Sequence, residues 1–233
     1  MYPLKSEEKT VFLKGPAGLI EMLIQEPDPN LEPNLELNKG VAVICHPNPV
    51  QGGTMHNKVV HMLAKAYLAK GLKVVRFNYR GVGQSEGTFG QTIGEVADLE
   101  AVICWVKQTL TLGEALPLYL AGFSFGTYIS AHWAITRGWP IVQLISVAPA
   151  VDRLDFDGLI AKHQDELAKK HINWVIIQGE NDEVVPPEAV YQWVDKLPIC
   201  LKPYVQLEKC PETGHFFHGK LGILKTILLK YIL

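Results

Sequence analysis

A serine lies between two glycines where an apolar segment gives way to helix-forming residues. The segment reads GFSFG over residues 122–126, after the apolar run Leu118–Ala121 and before the helical pattern of Tyr128–Ile135. A strand that turns directly into a helix holds the serine in a strained backbone conformation and crowds the positions two residues before and after it, which favours glycine there. Such a turn predicts that Ser124 presents its hydroxyl as a nucleophile.

A serine hydroxyl is too weakly acidic to attack a carbonyl unaided, so it needs a base and a carboxylate that orients the base. In an open parallel sheet these groups are expected in loops after the carboxyl ends of strands. Asp182 follows the predicted strand Trp174–Ile177, and His215 follows the last predicted strand, Tyr204–Leu207. The chain order Ser, Asp, His therefore predicts Ser124 as nucleophile, His215 as general base and Asp182 as orienting acid.

Two alternatives stay open for the acid and the base. Asp152 follows the predicted strand Ile141–Val147 and could supply the carboxylate, although it could instead cap the next helix. His218, close behind His215, is the second candidate for the base. Among the other histidines, His46 ends a strand near the site, and we expect it to hold the neighbouring loop by hydrogen bonds.

Hydrolysis of a carbonyl compound also needs N–H donors for the charge that develops on the carbonyl oxygen. One predicted donor is Phe125 N–H, at the start of the helix that follows the serine. The second is expected in the loop HPNPVQGG after the strand Val41–Cys45. Because proline has no N–H, we predict Asn48 N–H as this donor, with Gln51 and Gly52 as alternatives.

The substrate pocket is predicted from residues close to these turns. Phe123, Phe125, Phe216 and Phe217 could line an apolar pocket for the acyl group, and their alternative role is packing in the core. The segment Asp152–Lys170 between two predicted strands is short and polar, so we expect a minimal lid or none. An accessible cleft of this kind predicts a preference for small or short-chain esters.

Alternating strands and helices must position these loops. The elements predicted from apolar runs and helical periodicity are a hairpin (Thr10–Lys14 and Leu19–Ile24), strands Val41–Cys45, Lys73–Phe77, Leu118–Ala121, Ile141–Val147, Trp174–Ile177 and Tyr204–Leu207, and helices Asn57–Lys70, Ile93–Leu112, Tyr128–Ile135, Pro187–Leu197 and His218–Ile232. This alternation predicts an α/β fold with a mostly parallel central sheet, helices on both faces and an N-terminal antiparallel hairpin. Glu26–Gly40, rich in Pro and Asn, is expected to be a surface loop. No linker divides the chain, so residues 1–233 are predicted to form a single domain.

Composition argues against several functions. The net charge is −2 and no cluster of Lys and Arg occurs, so we expect no nucleic-acid partner. The N-terminal segment lacks a signal-peptide core and no apolar run is long enough for a bilayer, which predicts a cytoplasmic protein without stable membrane insertion. Gly81 and Gly83 are followed by Glu86 where a dinucleotide-binding loop needs glycine. With four scattered cysteines, expected as free thiols, and no metal-ligand spacing, we expect neither cofactor nor metal.

The motifs GFSFG, GENDEVVP and GHFFHG, in this order, resemble those of the α/β-hydrolase superfamily. The stretches CHPNPVQGGTMHNKVV and RFNYRGVGQSEGTFG further resemble compact bacterial hydrolases related to dienelactone hydrolase and to small esterases. This resemblance, from about Val41 to the C-terminus, implies the same roles for Ser124, Asp182 and His215. Dienelactone hydrolase has cysteine at the position of Ser124, so its substrate is not implied.

The resemblance implies a serine esterase that acts on a small-molecule ester, and it leaves other activities open. A thioesterase, lipase, amidase or peptidase could use the same three residues. Some proteins of this fold are non-catalytic binding proteins, although these usually lack the serine or the histidine that this chain retains.

Overall fold

The computed structural model describes residues 8–28, 30, 40–110 and 116–233. In these residues the strands are β1 Glu8–Gly15, β2 Gly18–Gln25, β3 Val41–Cys45, β4 Lys73–Phe77, β5 Leu118–Phe123, β6 Gln143–Val147, β7 Asn173–Gly179 and β8 Val205–Cys210. They form one sheet in the order β1-β2-β4-β3-β5-β6-β7-β8. The helices are α1 Lys58–Ala69, α2 Ile93–Thr109, α3 Phe125–Thr136, α4 Phe156–Lys162, α5 Gln164–Lys170, α6 Pro187–Lys196 and α7 Leu221–Tyr231.

The sheet is parallel from β4 through to β8, and β1 and β2 form an antiparallel hairpin that joins it through β4. Every residue of β3, β5 and β6 is buried, as expected of parallel strands that helices cover on both faces. Side chains of α1 and α7 fill the core on one face, and side chains of α2 to α6 fill it on the other. The predicted fold class is therefore confirmed.

The segment between β6 and β7 contains two short helices, α4 and α5, and no longer insertion. This agrees with the predicted minimal lid. The predicted loop Glu26–Gly40 and the end of the helix predicted over Ile93–Leu112 lie largely or partly outside the described residues.

The C-terminal helix begins later than the sequence predicts. We expected it to start at His218, but α7 begins at Leu221. Phe217 and Gly219 have φ angles of 54° and 69°, which lie in the left-handed region and cannot belong to a right-handed helix. The leucines of this helix begin only at Leu221, so their spacing does not support a helix over the three residues before it.

Two glycines allow the start of α3 to approach its neighbours closely. A Cβ atom on Gly122 would lie 2.3 Å from Gly126 O, and one on Gly126 would lie 2.4 Å from Cys45 O and 2.6 Å from His46 O. The opposing atoms belong to the main chain and have little freedom to move. The absence of a side chain at Gly126 therefore places the first turn of α3 against the carboxyl end of β3.

We predict that Gly126→Ala lowers the free energy of unfolding by about 1–3 kcal/mol, because the new methyl group overpacks against the β3 carbonyls. The matched control is Gly222→Ala. Gly222 is likewise the second residue of a helix, but a Cβ there would meet nothing within 4 Å. The control should gain about 0.5–1 kcal/mol from the lower backbone entropy of alanine. Urea unfolding measures both values, and equal effects of the two substitutions would contradict the close-contact explanation.

Candidate active site

Ser124 occupies the turn between β5 and α3 in a strained conformation. Its φ and ψ angles are 52° and −117°, a combination that residues with side chains rarely adopt and that clusters at functional sites. The turn is held by main-chain hydrogen bonds from Ser124 N to Val147 O (2.9 Å) and from Thr127 N to Ser124 O (3.0 Å). The strain is therefore stabilised both by the adjacent strand β6 and by the first turn of α3.

His215 and Asp182 form a buried pair at the ends of adjacent parallel strands. His215 Nδ1 lies 2.8 Å from Asp182 Oδ2, and the two residues are 2% and 7% exposed. Asp182 follows β7 and His215 follows β8, so the pairing of these strands brings the two loops together. A carboxylate can only accept, so Nδ1 carries the proton, and Nε2 of the neutral ring is free to act as a base.

Hydrogen bonds surround the Asp182 carboxylate. Oδ1 accepts from Val184 N (2.8 Å) and Val185 N (2.7 Å), and Oδ2 accepts from Gln178 Nε2 (3.1 Å) as well as from His215. Burial by itself would raise the pKa of this carboxyl group. The hydrogen bonds from His215 and from the two valine amides outweigh burial and lower the pKa, so the group is ionised at neutral pH.

Aromatic contacts connect this pair to the serine turn. The ring of Phe123, the residue before Ser124, lies 5.0 Å from the His215 ring between centroids. Phe216 contacts both rings, at 6.1 Å from Phe123 and 5.0 Å from His215. The structure thus brings His215 against the serine turn while it is hydrogen-bonded to Asp182.

The alternative acid and base lie elsewhere. Asp152 is exposed and forms an ion pair with its neighbour Arg153 (3.3 Å). His218 is exposed in the turn before α7, with its ring 5.8 Å from Phe216. The carboxylate that the buried histidine contacts is therefore Asp182.

Hydrogen bonds within the loop after β3 distinguish between the three candidates for the second N–H donor. Gln51 N donates to Asn48 O and Gly52 N donates to Pro49 O, each at 3.1 Å. Both alternative donors are thus engaged within their own loop, which favours Asn48 N–H. Phe125 is the first residue of α3, and the first N–H groups of a helix have no acceptor within the helix. Its N–H is therefore oriented to bind an anion at the helix N-terminus.

His46 supports this loop, in the role that its position predicts. Its Nδ1 donates to Pro47 O at 2.7 Å and its Nε2 accepts from Tyr79 N at 3.1 Å. Because Nε2 accepts, the ring is neutral with its proton on Nδ1. Burial lowers the pKa of His46 to about 3, against a smaller opposite effect of the bond to Pro47. The ring therefore remains uncharged over the physiological range.

The predicted pocket residues separate into exposed and buried ones. Phe216 is 39% exposed, whereas Phe125 is 5% exposed and Phe123 and Phe217 expose no surface. The prediction that Phe217 lines the pocket is wrong, because its side chain packs in the core under α1 and α7. Phe123 is also a packing residue, and its ring contacts the ring of His215. The side chain of Phe216 faces solvent and that of its neighbour Phe217 faces the core, which the sequence alone does not indicate.

Phe89 is an exposed aromatic residue near the serine turn that the sequence interpretation did not single out. It is 38% exposed, and its ring lies 6.0 Å from that of Phe125. The buried carboxylate of Glu95 holds its loop by accepting from Gly90 N (2.7 Å) and Thr92 N (2.8 Å). The spacing Thr-x-x-Glu at the start of α2 is typical of a capping box and could have indicated this support.

The cysteines, the possible metal ligands and the helices of the described residues also bear on the sequence predictions. All four cysteines are free thiols, and burial raises the pKa of Cys45 and Cys210 to about 12. Within the described ranges, no cluster of three or more His, Cys, Asp or Glu could hold a metal ion. No helix there has the length and apolar character needed to cross a bilayer.

A strained serine between strand and helix, beside a buried imidazole–carboxylate pair on this sheet, defines a hydrolase of the α/β serine-hydrolase type. The chain belongs to the α/β-hydrolase superfamily. A family model described as serine aminopeptidase S33 matches residues 38–162. The chain is also similar to the crystal structure of an α/β serine hydrolase without a lid from Xanthomonas campestris, with a TM-score of 0.82 and 38% identity over 97% of this chain and 94% of that one.

Two curated relatives extend the comparison. An uncharacterised protein of Rickettsia prowazekii is 32% identical over 191 residues, which are 80% of this chain and 72% of the relative. The human mitochondrial palmitoyl-protein thioesterase ABHD10 is 36% identical over 117 residues. That match covers 48% of this chain and 35% of the thioesterase, so the chain matches about a third of that relative's length.

We predict that the stability of the protein falls as the pH decreases from about 6.5 towards 3. In this window the unfolded chain takes up a proton at His46, with an ordinary pKa near 6.5, and the folded protein does not until about pH 3. The slope from this one group is at most about 1.4 kcal/mol per pH unit. Urea unfolding at several pH values measures it, and His46→Gln should flatten the curve. An unchanged slope in the variant would contradict this origin.

Proposed function

We propose that this protein hydrolyses carboxylic esters through a covalent acyl-enzyme, with Ser124 as nucleophile, His215 as general base and acid, and Asp182 as orienting carboxylate. The observation that carries the proposal is the buried 2.8 Å hydrogen bond between His215 and Asp182 beside the strained serine turn. A protonated Nδ1 leaves Nε2 as the basic nitrogen, and Ser124 Oγ is the group that this nitrogen serves.

The proposed reaction has two steps, the acylation of Ser124 and the hydrolysis of the acyl-enzyme. Ser124 Oγ attacks the ester carbonyl carbon while its proton passes to His215 Nε2, and the oxyanion accepts hydrogen bonds from Phe125 N–H and Asn48 N–H. The C–O bond to the alcohol then breaks as Nε2 returns the proton to the leaving oxygen. Water repeats the attack on the acyl-enzyme, which releases the acid and regenerates Ser124.

The ionised Asp182 supports this sequence through its charge. When His215 takes the serine proton it becomes an imidazolium, and the adjacent carboxylate stabilises that positive charge. The hydrogen bonds that lower the pKa of Asp182 keep the carboxylate ionised throughout. Proton transfer from His215 to Asp182 is therefore not part of the proposed reaction.

Small or short-chain esters are the proposed substrates. The connection between β6 and β7 holds two short helices, and the exposed rings nearest the serine turn are Phe89 and Phe216. Two partly exposed rings offer an apolar surface for a short acyl chain. A small-molecule ester as partner and a cytoplasmic location stay predictions.

Thioester hydrolysis is the second candidate activity. The similarity to the palmitoyl-protein thioesterase over 48% of this chain favours it. The same serine, histidine and carboxylate can expel either an alkoxide or a thiolate, so the proposed residues would keep their roles.

We predict that Ser124→Ala abolishes ester hydrolysis, with a loss of about 10⁴-fold or more in kcat, because no other group replaces the nucleophile. Hydrolysis of nitrophenyl acetate measures this loss, and unfolding curves check that the variant is folded. Wild-type protein should also be labelled stoichiometrically at Ser124 by a fluorophosphonate. A folded variant that retains activity well above background would contradict the proposal, and a wild-type protein that is neither active nor labelled would favour a non-catalytic binding protein.

We predict that Phe89→Ala selectively impairs longer acyl chains, because the chain loses its contact with this ring. Relative to acetate, the kcat/KM for butyrate and hexanoate esters should fall about tenfold or more. A matched panel of thioesters compares the two candidate leaving groups on the same variants. Phe12→Ala is the control, since Phe12 is 46% exposed on the edge strand β1. Equal chain-length profiles for the wild type and Phe89→Ala would show that this ring does not bind the acyl group.

A further inference from the structure

Gln178 is a fully buried residue of β7 that contacts the catalytic carboxylate. Its Nε2 donates to Asp182 Oδ2 at 3.1 Å, and the same oxygen accepts from His215 Nδ1 at 2.8 Å. Nε2 also lies 3.2 Å from Gly179 O and 3.5 Å from Val185 O. All three neighbours of Nε2 are acceptors, so the amide nitrogen rather than the amide oxygen faces the carboxylate.

This orientation has a cost in stability. Among the residues that the structure describes, the Oε1 atom of Gln178 has no hydrogen-bond partner although it is buried, and an unsatisfied buried carbonyl is unfavourable compared with an apolar group of similar shape. An apolar side chain would therefore suit this core position better if packing were the sole requirement. The N–H donated to Asp182 is the feature that an apolar side chain could not supply.

We propose that Gln178 is a positioning residue, which fixes Asp182 Oδ2 in line with His215 Nδ1. Two main-chain N–H groups hold Oδ1, and around that fixed atom Oδ2 could still swing. The side chains of Gln178 and His215 hold Oδ2 in place. Because the imidazole is oriented through Oδ2, Gln178 controls the direction in which His215 presents Nε2. This inference rests on the proposed function of the same site.

Gln143 provides a matched control within the same sheet. It is also fully buried, its Nε2 donates to Tyr231 O at 2.7 Å, and its Oε1 has no hydrogen-bond partner within the described ranges. It is the first residue of β6, at the amino end of the strand, opposite the edge that carries the candidate site. Methionine resembles glutamine in length and has no N–H to donate. Gln143→Met and Gln178→Met therefore remove the same group at comparable burial, and one of the two lies next to Asp182.

The first experiment compares kcat and KM for nitrophenyl acetate in the wild type and the two variants. Gln178→Met should lower kcat about 10- to 100-fold, the value expected for a lost hydrogen bond to a charged group. Its KM should change little, because ester binding does not involve Asp182. Gln143→Met should retain the wild-type kcat. Similar losses in both variants, or a wild-type kcat in Gln178→Met, would overturn the inference.

A second measurement uses the wild-type protein and does not require Gln178→Met to fold. In a ¹⁵N-labelled sample, the side-chain amide resonances of Gln178 should shift with pH at the same midpoint as the His215 ring. Glu183, whose carboxylate accepts from His215 N at 3.1 Å, is a second charged group bonded to His215, so the titration is repeated in Glu183→Gln. Gln178 amide resonances whose chemical shifts do not change at the midpoint of the His215 ring would overturn the inference. The proposed function fails separately, if the wild type neither hydrolyses esters nor is labelled at Ser124.

Discussion

The contact between Gly126 and the last carbonyl groups of β3 is the constraint on which the site depends. This contact sets the distance between α3 and β3. It therefore also sets the distance between the two candidate oxyanion donors, because each donor lies next to one of these elements. Phe125 N–H begins α3, and Asn48 lies in the loop that continues from β3. The buried, neutral His46 ring then ties that loop to Tyr79, on the chain that leaves β4. The close packing of two main-chain segments thus sets the relative positions of the two candidate oxyanion donors.

On the other side of the site, the hydrogen bonds that fix the loop after β7 also stabilise the charge of Asp182. Asp182 lies in a buried setting that would favour its neutral form, and the hydrogen bonds from His215 and from the Val184 and Val185 amides reverse that preference. Two of the donors are main-chain amides of the loop itself, so the loop conformation and the charge of its carboxylate depend on one another. A change in the conformation of this loop would therefore also change the pKa of the Asp182 carboxyl group.

Apolar runs and glycines were sufficient to predict most of this architecture, because these signals are local. The buried strands β3 and β4 have the predicted bounds, and the turn at Ser124 followed from its flanking glycines. What failed depends on tertiary contacts. Phe216 and Phe217 are adjacent and chemically identical, yet one is exposed and the other lies in the core. The contact between Phe89 and Phe125 joins residues far apart along the chain, and no local pattern encodes such a distance.

The two short helices between β6 and β7 have a consequence for how a substrate arrives. A hydrolase that encloses its substrate limits the bulk of the whole molecule, and it must open before each turnover. Here the connection holds only two short helices, so in the proposed ester hydrolysis the alcohol portion can remain in water while the carbonyl reaches Ser124. We therefore expect the proposed esterase to discriminate through its contacts with the acyl portion, and to accept a small acyl group on a large or surface-attached alcohol.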